Sequence, residues 1–117
     1  MEEIVTIEQM DALVRSSDPA ILFKYSPTCG ISQVAQEAWT EFTITAPGVR
    51  LAQCDVLAAK PAARGVVEMV GVAHQSPQVL VLSGGKCLAH TSHYSIKLKW
   101  LEEMRDRLVA LSSNASV

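Results

Sequence analysis

The sequence has few of the features that mark several large classes of protein. It carries 10 Lys and Arg against 12 Asp and Glu, and a net charge of −2 offers no basic surface for nucleic acid or an anionic membrane. No apolar run approaches the ~20 residues that a transmembrane helix needs. The acidic start, Met1-Glu2-Glu3, has neither the basic nor the apolar region of a signal peptide. We therefore expect a cytoplasmic protein with no nucleic-acid or membrane partner.

Cysteine is also scarce. The chain has three cysteines, Cys29, Cys54 and Cys87. A small, odd number does not suit a disulfide framework, so we expect free thiols in a reducing compartment. What is abundant is apolar sequence, at 49% of 117 residues with 19% charged. This balance predicts a folded chain, and the length suits a single domain over residues 1–117.

Apolar spacing and turn residues predict eight elements in the order helix, strand, helix, strand, helix, strand, strand, helix. They are a helix capped by Thr6, a strand at 21–25, a helix from about 29 that weakens at 43–45 and ends at 46–48, a strand at 49–56, a helix at 60–70, strands at 78–82 and 87–91, and a helix capped by Ser95. The first strand–helix–strand unit predicts a parallel pair, and Gly84-Gly85 predicts an antiparallel hairpin. We expect an α/β protein with a thioredoxin-like fold, in which helices cover both faces of a mixed four-stranded sheet.

Cys29 is the candidate for chemistry. It follows the strand at 21–25 and precedes a helix, where free N–H groups and the positive end of the helix dipole favour thiolate, the reactive form. Its neighbours Ser26, Thr28 and Ser32 are polar, and Gly30 would leave the thiol open to approach. We predict that Cys29 is a nucleophile in thiol–disulfide exchange; the alternative is a small buried hydrophobe.

Ser32 stands three residues after Cys29, where a Cys-x-x-Cys motif has its second thiol. A serine forms no disulfide, but its hydroxyl can donate a hydrogen bond to the Cys29 thiolate. The alternative is an ordinary serine in the first helical turn. If the functional interpretation holds, Cys29 works as a monothiol, and an external thiol, Cys54 or Cys87 resolves its mixed disulfide.

Ser76-Pro77 comes directly before the strongest strand pattern in the chain. One interpretation is a simple trans-proline at the start of a strand, which is the commoner case. The other is a cis-proline that packs beside the nucleophile and presents the Ser76 backbone to an extended client chain.

The remaining polar candidates are weaker. We expect Lys24 to be a solvated lysine at a strand end rather than a charge that attracts an anionic small thiol. Cys54 is expected to be buried and inert. The histidines His74, His90 and His93 lack the roughly four ligands of a zinc site, so we predict neither a metal nor a bound cofactor.

Three groups of residues, taken in order along the chain, resemble the monothiol bacilliredoxins, which are thioredoxin-like proteins of the bacillithiol system. They are Phe23-Lys24-Tyr25-Ser26 with Thr28-Cys29-Gly30-Ile31-Ser32, then His74-Gln75-Ser76-Pro77-Gln78-Val79-Leu80, and then Gly85-Lys86 with His90 and Ser92-His93. The chain departs from the family pattern at Gly30, where proline is usual, and at Tyr25, where histidine is usual.

The resemblance implies removal of bacillithiol from mixed disulfides on client proteins. Cys29 would be the attacking thiol, with Ser32 as its hydrogen-bonding neighbour and Pro77 as the cis-proline that faces it. Thr28, Gly30, Ser76 and Pro77 would then line the substrate site. The small thiol is a co-substrate, and the same chemistry with glutathione remains open. The rival from another class is a non-catalytic thioredoxin-fold module that binds a partner through the Pro77 loop.

Overall fold

A computed structural model describes residues 1–28, 30–45 and 48–115. In chain order the elements are β1 (Glu2–Glu3), α1 (Ile7–Arg15), β2 (Ala20–Tyr25), α2 (Gly30–Thr45), β3 (Arg50–Asp55), α3 (Lys60–Val70), β4 (Gln78–Ser83), β5 (Lys86–Ser92) and α4 (Leu98–Ala115), with one 3₁₀ turn at His93–Ser95.

The strands form one mixed sheet in the order β1-β3-β2-β4-β5. The predicted parallel pair is confirmed, with Ala20 opposite Arg50 and Tyr25 opposite Asp55. The predicted hairpin is confirmed as well, since β4 and β5 are antiparallel and the turn between them has positive φ at Gly84 and Gly85. Strand β2 therefore lies at the centre of the sheet, between one parallel and one antiparallel neighbour.

The prediction of four strands is wrong, because a fifth strand, β1, pairs in parallel with β3. Two acidic residues carry no apolar alternation, so β1 has no signal in the sequence. Its support comes from elsewhere: Glu2 accepts a hydrogen bond from Arg50 Nη2 at 2.8 Å, and Ile4, only 3% exposed, donates its N–H to Gln53 O.

Helices cover both faces of the sheet, as predicted, and they create two cores. Ala20 and Leu22 of β2 face a core that includes α1 and α3. Ile21 and Phe23 face the other core, which includes α2 and α4. Side chains on both faces of β2 are thus buried, which is why its sequence begins with a continuous apolar run.

Trp39 fixes α2 against the sheet. Its ring stacks on Phe23 at a centroid distance of 5.3 Å, and its Nε1 donates to Gln53 Oε1 at 3.2 Å. Helix α2 continues through residues 43–45 where weakening was predicted, and the predicted stop at Ala46-Pro47 lies outside the described residues. Its start at Gly30 is therefore held relative to the end of β2 by packing two to three turns away.

The prediction that Ser95 caps the last helix is wrong. Residues 93–95 form the 3₁₀ turn, and α4 begins at Leu98, with Leu101 N donating to Lys97 O. The burial of Ile96, at 3% exposure, accounts for the difference, because the chain must run extended there to place this side chain in the core. Within the described ranges, no helix is both long and apolar enough to cross a membrane.

The first helix begins with a complete capping box, as predicted. Thr6 Oγ1 accepts from Gln9 N at 3.1 Å, and Gln9 Oε1 accepts from Thr6 N at 3.0 Å. We expect Thr6→Ala to lower the free energy of unfolding by about 1 kcal/mol, since one N–H of the first turn loses its acceptor.

Urea denaturation of the two proteins measures this difference, with Thr6→Ser as the matched control that keeps the hydroxyl. A Thr6→Ser variant as unstable as Thr6→Ala would show that the methyl group, rather than the cap, provides the stability.

Candidate functional site

The site is built on the turn that follows the central strand. At the end of β2 the Tyr25 carbonyl accepts from Val56 N at 2.9 Å. The chain then leaves the sheet through Ser26–Thr28, and Ser26 Oγ and Thr28 Oγ1 are 3.3 Å apart, a hydrogen bond. Because α2 begins at Gly30, this turn leads directly from the sheet to the first residue of a helix.

Cys29, the predicted nucleophile, lies outside the described residues. In the sequence it directly precedes Gly30, the first residue of α2. A Cβ built on Gly30 would meet no other atom within 4 Å. No close approach among the described residues therefore requires a glycine here, and the departure from the proline usual in the family is not forced by packing.

Ser32 ties the turn to the helix. Its side chain is only 3% exposed, and its Oγ accepts a hydrogen bond from Ser26 N at 3.2 Å. A hydroxyl that accepts still has one O–H to donate. The bond spans residues 26 to 32, so the chain on both sides of Cys29 is held by this one hydroxyl, which could also donate toward a thiolate.

The Ser76–Pro77 peptide bond is cis. Strand β4 begins at Gln78, which pairs with Lys24, so Ser76 and Pro77 lie at the same end of the sheet as the turn after β2. Pro77 O accepts from His93 N at 3.0 Å, which attaches the loop to the 3₁₀ turn.

Ser76 has hydrogen-bonding groups for which the described residues offer no partner. Its Oγ is buried and has no hydrogen-bond partner among the described residues. Its backbone N–H and C=O likewise have no backbone partner in the described part of the chain. Because buried polar groups usually find a partner, these groups are available to a bound chain or to groups outside the described residues.

The buried side chain of Gln78 holds the loop before Pro77 in place. Its Nε2 donates to Ala73 O at 3.0 Å, and its Oε1 accepts from Gln75 N at 3.3 Å. The same Oε1 accepts from Lys24 Nζ at 3.1 Å. One buried amide therefore joins the end of β2 to both ends of the 73–75 segment.

The prediction that Lys24 is solvated is wrong: its side chain is fully buried, at 0% exposure. The sequence misleads because a lysine beside an apolar run is usually at the surface, whereas here Gln78, its partner across the antiparallel pair, supplies an acceptor inside the protein. Burial lowers the pKa of Lys24 to about 8, and the neighbouring Cys54 opposes that shift.

The other two cysteines are poor nucleophiles. Cys54 is fully buried, as predicted, and burial raises the pKa of its thiol to about 11, against the opposing effect of Lys24. Cys87 is partly buried; its Sγ donates to Ala89 O at 3.2 Å, and burial raises the pKa of this thiol as well. At neutral pH both remain protonated, and the thiol is the unreactive form.

The histidines do not converge on a common centre. His74 lies in the loop before Pro77, His90 on β5, and His93 in the 3₁₀ turn. Across residues 1–28, 30–45 and 48–115, no group of three or more His, Cys, Asp or Glu side chains is arranged to hold a metal ion.

The Lys24–Gln78 pair has no local signal in the sequence. The available signal is the position of the two residues. Lys24 follows the apolar run of one predicted strand, and Gln78 precedes the apolar run of another. Without the register between β2 and β4 nothing indicates that they face each other.

Comparison with known proteins adds two findings. The family model described as Monothiol bacilliredoxin BrxC matches residues 2–101. Among solved structures, a protein with a thioredoxin fold has a TM-score of 0.78 and 19% identity, with 88% of this chain and 91% of that chain covered. Thioredoxin from Fasciola hepatica has a TM-score of 0.71 and 17% identity, over 92% and 98% of the chains. Mitochondrial thioredoxin 3 from Saccharomyces cerevisiae has a TM-score of 0.70 and 17% identity, over 92% and 94%. These likenesses show a thioredoxin fold.

The buried Lys24 predicts a pH dependence of stability. Its pKa is about 8 in the folded protein and near its ordinary 10.5 when unfolded. Below pH 8 the folded state bears the cost of a buried charge. Between pH 8 and 10.5 the unfolded chain binds the proton more tightly, so this residue's contribution to stability rises with pH. Relative to Lys24→Met, the wild type should therefore gain up to about 3 kcal/mol between pH 7 and pH 10.

Denaturation of both proteins at a series of pH values measures the gain, and Lys86→Met, which removes an exposed lysine, is the control. A difference between wild type and Lys24→Met that is constant with pH would contradict a charged, buried Lys24.

Proposed function

The chain belongs to the monothiol bacilliredoxin family, and from that premise we propose that it removes a low-molecular-weight thiol from mixed disulfides on client proteins, with Cys29 as the nucleophile. The family and the thioredoxin fold support a thiol oxidoreductase. One observation supports the assignment to Cys29. The residue directly precedes Gly30, the first residue of α2, and the hydrogen bond from Ser26 N to Ser32 Oγ joins the chain on either side of it.

In the proposed reaction the Cys29 thiolate attacks the small-thiol sulfur of a client mixed disulfide. A bond forms between Cys29 Sγ and that sulfur, while the bond to the client sulfur breaks. The client leaves as a thiolate and takes up a proton. A second small thiol, or a partner reductase, then attacks the Cys29 adduct and releases the thiolate of Cys29 again.

The helix start favours the first step. The free N–H groups and the positive dipole end at the beginning of α2 stabilise an anion next to Gly30, which favours thiolate over thiol. Ser32 supports the same state, because its hydroxyl accepts from Ser26 N and keeps its own O–H to donate to the thiolate. A serine at this position leaves no second thiol in the motif, so the reaction stops at the adduct until an external thiol arrives.

Ser76 and Pro77 form the proposed client-binding side. The Ser76 backbone, which has no backbone partner among the described residues, can pair with an extended client segment as an added strand. Its buried hydroxyl is a further hydrogen-bonding group at this end of the sheet. Thr28 and Gly30, which flank Cys29 in the sequence, would line the other side of the substrate site.

We propose bacillithiol as the small thiol, on the strength of the family, with glutathione as the alternative co-substrate. Neither Cys54 nor Cys87 has the reactivity expected of a competing nucleophile, because burial raises the pKa of both thiols. The adduct should therefore form at Cys29 alone.

Mass spectrometry tests the proposal. A client protein carrying bacillithiol or glutathione on one cysteine is mixed with the wild type, and we expect the mass of that thiol to appear on the Cys29 peptide while the client becomes free. Cys29→Ser should form no adduct, and Cys87→Ser, which alters an exposed strand at the sheet edge, should react as the wild type does.

An adduct on Cys87 or Cys54 with none on Cys29, or release of the client by Cys29→Ser at the wild-type rate, would overturn the proposal. A non-catalytic binding module would give the further result that the client binds and keeps its small thiol.

A further inference from the structure

A cavity of about 210 Å³ opens beside α3. The described residues that line it come from the segment after β3, from α3, and from the loop before Pro77. They are Val56, Leu57, Lys60, Ala63, Arg64 and His74. Three of the six are basic, and none of them carries a carboxylate.

The positive charge in this cavity is not paired with a carboxylate of the described residues. Lys60 and Arg64 are four residues apart on α3, on one helix face, where like charges repel and destabilise the helix. Neither residue forms an ion pair within the described part of the chain. Asp55 does not line the cavity, and its Oδ1 accepts from Leu57 N at 2.9 Å and Ala58 N at 3.1 Å. The chain as a whole is acidic, at −2, so these cations are a local concentration.

The cavity lies at the end of the sheet where the candidate site lies. Val56, which lines it, donates its N–H to the Tyr25 carbonyl, the last residue of β2 before the turn that leads to Cys29. His74, on the opposite wall, belongs to the loop that ends at Pro77 and that Gln78 holds in place. The cavity is on the α3 side of the sheet, and a small thiol attached to a sulfur at the start of α2 would lie at the same end of the sheet.

We propose that the cavity between α3 and the 73–77 loop binds the carboxylate groups of the low-molecular-weight thiol, with Lys60, Arg64 and His74 as its ligands. This inference rests on the proposed function and adds to it the place where the carboxylates that bacillithiol and glutathione both carry would bind. Val56, Leu57 and Ala63 provide an apolar wall for its carbon skeleton. Lys24 is fully buried and does not line the cavity, but its positive charge acts on His74.

His74 reports binding at this cavity. Desolvation lowers the pKa of His74, and the positive charges of Lys24 and Arg64 lower it further. A carboxylate in the cavity opposes both cations, so it should raise the pKa of His74. An NMR titration of the histidine with S-methylglutathione, a thioether that keeps the carboxylates and forms no disulfide, measures this change without any reaction at Cys29.

The kinetic test compares thiols that differ in charge on one client. Client cysteines are loaded with bacillithiol, with glutathione, or with neutral 2-mercaptoethanol, and the rate of release is measured for the wild type and for Arg64→Glu. We expect Arg64→Glu to slow release of the two carboxylate-bearing thiols about tenfold, because one charge near the ligand is reversed. Release of 2-mercaptoethanol should change less than about twofold, and added salt should reduce the difference between the proteins.

Lys86→Glu is the matched control, since Lys86 begins β5 at the opposite end of the sheet and should leave all three rates unchanged. Equal slowing of the charged and neutral thiols by Arg64→Glu, or no slowing of either, would overturn the inference. A pKa of His74 that stays constant with S-methylglutathione would overturn it too.

The two proposals fail in different ways. If no thiol is released by the wild type, the proposed function fails, and the His74 titration alone still decides whether the cavity binds carboxylates. If every thiol is released at the same rate by the wild type and by Arg64→Glu, the function holds and the cavity has no part in it.

Discussion

Strand β2 is buried on both faces, and this burial positions the other elements around it. Its alternate side chains enter two separate cores, and its backbone pairs with β3 on one side and β4 on the other. A strand held this way has fixed ends. The turn at Ser26–Thr28, the start of α2 and the loop before Pro77 all lie at one of those ends, so the central strand determines where the reactive groups can meet.

The same constraint explains why polar residues lie inside the protein at this end. Where the apolar run stops, Lys24 continues β2 into the core, and Gln78, its partner on β4, supplies the acceptor. The amide of Gln78 then reaches the backbone of residues 73 and 75. A buried charge costs stability unless it is well paired. Here the amide that pairs with Lys24 also fixes the loop before Pro77 relative to the end of β2. Positive charge near the proposed thiol site follows from this arrangement.

Much of the fold could be predicted because each element has a local cause. The Thr6 capping box, the apolar run before Tyr25 and the Gly84-Gly85 turn each identify an element without knowledge of its neighbours. What could not be predicted depends on contacts between distant segments. Strand β1 has no pattern of its own, and the burial of Lys24 depends on a register that no local pattern contains. The candidate residues could be predicted from their spacing and from the family resemblance. The basic cavity beside α3 could not, because it is formed by three separate segments: the segment after β3, α3 and the loop before Pro77.

A reactive thiolate at Cys29 would show itself in the pH dependence of its alkylation. Iodoacetamide is added to the folded protein at a series of pH values, and labelling of each cysteine is followed separately by mass spectrometry, with Cys87 as the internal reference for a thiol of raised pKa. We expect Cys29 to reach half-maximal reactivity at a pH well below the ordinary thiol pKa of about 8.5. Half-maximal reactivity at or above that value would contradict it.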